Sequence, residues 1–226
     1  MAPSKAPAAT TLKPLKQHDR AEKHHEAKLQ TGEARRSGAA LLVHVVAFGW
    51  YAYVWLWHFS PAAQHLPGSV GFGWFFKYLT FYTYTFQWIQ LFICCCSDLA
   101  QGSKRQRLLD RLADDVSCAV FGLANVVTLM FYGLELATKD VEEAGLVDKP
   151  LWLGPSVHVL NSVVAWVDLL VSHPRTFSRR SMVLSLGLVC AYTVWILVCS
   201  HFNGVFPYPF LNKLPWPKGF CITADG

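Results

Sequence analysis

Thr80 and His158 are the residues whose types and placement best suit covalent chemistry. Thr80 begins a set with Thr83, Gln87 and Gln90 at i, i+3, i+7 and i+10, a spacing that puts all four on one helix face. Asn125, Thr128, Tyr132 and Glu135 repeat the pattern, and His158, Asn161, Ser162 and Asp168 form a third polar set. A threonine hydroxyl is a weak nucleophile unless an imidazole within hydrogen-bond reach takes its proton as the oxygen attacks an ester carbonyl. Backbone amides, Asn161 or His201 are the available donors to the oxyanion that such an attack creates.

The elements that position these residues are apolar blocks. The chain has 226 residues, only 15% of them charged, and a mean hydropathy of +0.26, which is too apolar for an ordinary soluble domain. The charges gather in residues 1–38 and in short connections, and the blocks between them run to about 20 residues, the thickness of a bilayer core. Spans are expected at 39–59, 76–97, 116–137, 151–171 and 182–203. The fold class is therefore all-α, a polytopic transmembrane bundle of about five spans in residues 39–203. Before it comes a basic tail (1–38) too poor in apolar residues to build a core. After it comes a Pro-rich tail (204–226), whose Pro207, Pro209, Pro215 and Pro217 cannot continue a helix.

Charge placement predicts orientation. Fifteen of the 20 Lys and Arg residues fall in the N-terminal tail, at Lys104, Arg105, Arg107 and Arg111, or at Arg175, Arg179 and Arg180. The positive-inside rule then puts the N-terminus in the cytoplasm. The expected location is an endomembrane such as the endoplasmic reticulum, or the plasma membrane, with the first span as its own insertion signal. The net charge of +5 forms no continuous basic stripe, so nucleic acid is not an expected partner. In this topology spans two and four both run inward. Thr80 and His158, about four and seven residues into their spans, then lie roughly 6 to 11 Å below the outer end. The fitting substrate is a lipid ester. Asp168, ten residues beyond His158, falls about 15 Å deeper and is expected to pair elsewhere in the bundle.

The plainer reading is that these stripes only hold helices together, as Ser, Thr, Asn and Gln commonly do in membranes. The protein would then be a non-catalytic membrane protein that binds lipids or scaffolds partners. A transporter would call for broken helices or internal repeats, and neither is evident in the sequence. Cys94, Cys95 and Cys96 end the second span, where thiols are either acylated or simply small apolar side chains. His24 and His25 lack further ligands nearby, so neither a metal nor another cofactor is expected.

Several segments occur in a telling order. Gly73-Trp74 leads into Lys77-Tyr78-Leu79-Thr80-Phe81, followed by Ser97-Asp98-Leu99, Asp115, and Pro150-Leu151-Trp152-Leu153 through His158, with Asp168 beyond. Ser172-His173-Pro174 through Ser178-Arg179, then His201, Gly204 and Tyr208-Pro209-Phe210-Leu211, complete the set. In these the chain resembles the androgen-induced gene 1 family over most of residues 40–212. The resemblance implies a threonine-dependent membrane hydrolase of fatty acid esters of hydroxy fatty acids, with the nucleophile at Thr80 and the histidine at His158. Two departures stand out. The family pattern has a sixth span after Tyr208-Pro209-Phe210-Leu211, and the segment before His158 reads Gly154-Pro155-Ser156-Val157.

Overall fold

In the computed structural model the described residues are 38–100, 103–137, 149–172 and 175–212, and their regular structure is entirely helical. His24, His25, the acidic stretch at Asp140, Glu142 and Glu143, His173 and Cys221 lie outside them. In chain order the helices are α1 (Gly38–Trp57), α2 (Leu79–Leu99), α3 (Gln106–Ala137), α4 (Leu153–His158), α5 (Leu160–Val171), α6 (Arg179–Asn203) and α7 (Pro209–Asn212). Helix α1, the Gln106–Gly133 stretch of α3, and α6 are long and apolar enough to cross a bilayer.

Helix α2 has the length, 21 residues, but three threonines and two glutamines dilute its hydropathy. Those residues turn inward: Thr83, Gln87 and Gln90 are buried, while Ile89 and Phe92 face out. This is the arrangement lipid demands of a central helix, because a polar side chain facing hydrocarbon has nothing to bond. The Tyr51 and Tyr84 rings stack at 4.0 Å between α1 and α2, and Leu153 and Val157 of α4 join the same core.

The expected span at 151–171 is helical from Leu153 to Val171 and irregular only at Val159, between α4 and α5, where the backbone stays in the helical region at φ −88°, ψ −49°. Carbonyls just before Val159 are taken by side chains. The Asn161 amide donates to the Val157 oxygen at 2.6 Å, and the Thr128 hydroxyl donates to that of His158. Such bonds compete with the helical ladder. Helix α3 starts ten residues before the predicted 116, because Gln106–Asp115 forms a charged extension; there Asp110 accepts from Ser97 at 2.5 Å.

A loop of three 3-10 turns, Pro61–Ala63, Pro67–Ser69 and Trp74–Lys77, links α1 to α2. It caps the end of the bundle. Lys77 is buried there, its ammonium donating to the carbonyl oxygens of Pro67 and Val70, and burial pushes its pKa below the ordinary lysine value. Tyr208 donates its position to α2 as well, its hydroxyl accepting from the Leu79 N–H at 2.7 Å. The loop meets α6 at Gly73, whose φ of 91° is left-handed and where an added Cβ would lie 2.4 Å from the Cys199 sulfur. Gly73→Ala is expected to cost about 1 to 3 kcal/mol, read as a lower unfolding midpoint in detergent. Adding Cys199→Ala should restore only the part due to the contact.

Candidate functional site

Two polar layers lie inside the helices. The first is near the loop-capped end, between α2 and the α4–α5 pair. Thr80 sits in the first turn of α2, half-buried, and its hydroxyl bonds to no described residue. His158 ends α4; its ring stacks on Phe131 with centroids 3.5 Å apart, and its Nδ1 is buried without a partner. Helices α2 and α4 pack together, but no hydrogen bond joins Thr80 to His158.

Two cross-links set the level of these groups. The Gln87 amide donates to the Asn161 carbonyl oxygen at 2.8 Å, and the Gln90 amide to Asp168 Oδ2 at 3.3 Å. The helices therefore run parallel. Counting ten residues back from the second link reaches Thr80 on one helix and His158 on the other. Counting back from the first link puts Thr83 within about 2 Å of the His158 level and Thr80 about one turn beyond. Together they put the His158 backbone at the level of the Thr80–Thr83 turn, while its ring lies against Phe131 of α3.

Thr83 is fully buried, and its Oγ1 has no partner; the OH of the adjacent Tyr84 and Oε1 of Gln87, one turn on, are also unpartnered. Below them Asn161 is satisfied, accepting from Tyr51 OH at 3.2 Å. Buried polar atoms without partners cost about 1 to 3 kcal/mol each, and such a concentration calls for an explanation. His201 lies exposed near the end of α6, and the side chain of Glu135 is outside the described set.

The second layer occupies the end of the bundle where Arg111, Arg175, Arg179 and Arg180 gather. His44 of α1 is buried, with Nδ1 2.6 Å from Asp98 Oδ2 and Nε2 2.8 Å from Asp168 Oδ1. Both ring nitrogens face carboxylate oxygens, which is the geometry of an imidazolium donating twice. Asp168 Oδ1 also accepts from Arg175 Nη2 at 2.7 Å and from the Ser172 hydroxyl at 2.6 Å. Asp168 thus pairs away from His158, as its depth led us to expect. The sequence reading overlooked His44, although an ionisable residue inside an apolar span was signal enough.

His44, Cys94 and Asp168 bring ligand-type atoms within 4.8 Å of one another. Two of them already face a cation in Arg175, whose Nη2 donates to Asp168 and lies 3.4 Å from the Cys94 sulfur. Cys94 and Cys95 are buried and Cys96 is half-buried.

Apolar helices of membrane-spanning length, arranged around buried polar and ionic layers, define a helical integral membrane protein. Comparison with known proteins is more specific: a model for FAR-17a/AIG1-like proteins matches residues 39–223. The chain belongs to that family. It is 26% identical over 169 residues to the androgen-induced gene 1 protein of Homo sapiens, covering 67% of this chain and 70% of the relative. No solved structure matches it.

Proposed function

We propose that the protein is a membrane-embedded hydrolase of fatty acid esters of hydroxy fatty acids, with Thr80 as nucleophile and His158 as general base. The carrying observation is the buried, unpartnered Nδ1 of His158 on a helix packed against α2, which itself carries unpartnered polar atoms of Thr83, Tyr84 and Gln87. A free imidazole nitrogen at this point can take the hydroxyl proton. The oxygen then attacks the ester carbonyl, the proton passes to the departing alkoxide, and water releases the acyl group from threonine. We further propose that the N-terminus is cytoplasmic and that the site opens toward the opposite side of an endomembrane or the plasma membrane.

The register of the Gln87 link favours a second assignment within the same chemistry, with the nucleophile on Thr83. A fluorophosphonate probe separates the two. Incubation with the purified protein, followed by peptide mapping, is expected to place the adduct on Thr80. An adduct on Thr83 moves the nucleophile one turn along the helix. Absence of any adduct, in a protein that retains its fold, leaves the non-catalytic lipid-binding reading.

A further inference from the structure

At the arginine-rich end, a cavity of about 290 Å³ opens between the start of α3 and the start of α6, lined by Arg111, Asp114, Asp115, Thr176, Ser178, Arg179 and Arg180. The two carboxylates have work within the protein. Asp114 accepts from the Thr176 N–H at 2.9 Å and from the Thr176 hydroxyl, and Asp115 accepts from the Ser178 hydroxyl at 2.7 Å. Ser178 in turn caps α6 by accepting from the Ser181 N–H at 3.1 Å. The acidic residues thus hold the wall of the cavity in place. Arg111, Arg179 and Arg180 are exposed, and none of them forms an ion pair or hydrogen bond among the described residues.

Three free guanidinium groups around one concavity suit an anion with several acceptor oxygens, because each presents a planar fork matched to phosphate. The neighbouring surface restricts the anion further. Leu112, Phe177, Met182 and Val183 are exposed beside the arginines. Charged groups bordered by apolar side chains at the end of spanning helices fit an amphiphile, with its phosphate in the cavity and its acyl chains along α6. Basic pockets between transmembrane helices are a known setting for lipid headgroups.

We propose that this cavity binds the phosphate headgroup of an anionic glycerophospholipid from the leaflet at the basic end. The site is separate from Thr80 and His158, so it stands or falls independently of the hydrolase assignment.

The test uses the full chain in phosphatidylcholine nanodiscs titrated with phosphatidylglycerol, with bound lipid counted by native mass spectrometry. Wild type is expected to retain phosphatidylglycerol in preference to phosphatidylcholine. Each single change, Arg111→Gln, Arg179→Gln or Arg180→Gln, should weaken retention about fivefold, and the three together on the order of a hundredfold. Lys149→Gln, outside the cavity, should change nothing. Glycerol phosphate in solution should fail to displace the lipid. Unchanged retention in the triple variant overturns the proposal, and displacement by glycerol phosphate at comparable concentration reduces the cavity to a plain anion site. Should the triple variant not fold, raising salt on wild type decides: retention must fall, and a salt-insensitive complex refutes the site.

Discussion

His158→Ala is expected to lower kcat for a fatty acid ester of a hydroxy fatty acid by a factor of about 10² to 10⁴, the range of a positioned general base. KM should change little, because the ring supports the reacting hydroxyl and is not required to hold the acyl chains. His158→Gln is the sharper variant, since it keeps a polar side chain near Phe131 but cannot accept the proton at neutral pH. Both are to be compared with Thr80→Ala and Thr83→Ala under the same single-turnover conditions. If Thr80 is the nucleophile, Thr80→Ala abolishes acyl transfer to the protein, His158→Ala slows it by that same factor, and the double variant is no worse than Thr80→Ala alone, as expected of groups acting as a unit. Loss in Thr83→Ala with survival in Thr80→Ala would instead follow the register set by Gln87 and Asn161. Full turnover in His158→Gln would remove the imidazole from the chemistry altogether.

How far the sequence carried this picture depends on which physical signal each part leaves. Apolar blocks are written directly into composition, so each of the five expected spans holds a helix, although the first ends at Trp57 and the second begins only at Leu79. The same signal misplaces ends that depend on hydrogen bonds. Gln106–Asp115 lengthens α3 because its charges can leave the apolar layer, and α6 starts at Arg179 because Ser178 supplies a cap. The irregularity at Val159 leaves no mark in composition; the carbonyls around it accept side-chain bonds from Thr128, Asn161 and Gln87 on three different helices. Periodicity found the inward face of α2, where Thr83, Gln87 and Gln90 are buried. It could not say which hydroxyl lies level with His158, because side chains of glutamine length allow a turn of slack. The ionic layer was only half legible: Asp168 stood out, but His44 and Arg175 meet it from positions 124 and 7 residues away.

Asp168→Asn is expected to destabilise the fold by about 3 to 5 kcal/mol, the cost of removing one member of a buried ion pair. The size follows from what remains. His44 and Arg175 would be left as buried donors, one of them bonded also to Asp98, with a neutral amide in place of the carboxylate that joined them. Side chains this enclosed have little water to fall back on; Asp168 is 3% exposed and His44 1%. Midpoints of SDS-induced unfolding give the measurement. Neutralising the whole layer together, as His44→Leu, Asp98→Asn, Asp168→Leu and Arg175→Met, should cost less than Asp168→Asn alone, because no unpaired charge is then buried. A double-mutant cycle on His44 and Asp168 should give a coupling well above that of an exposed pair, for which about 0.2 to 1 kcal/mol is usual. Equal midpoints for wild type and Asp168→Asn would mean that α1, α2 and α5 are held by apolar packing alone. The layer would then be free to change its protonation without loosening the bundle.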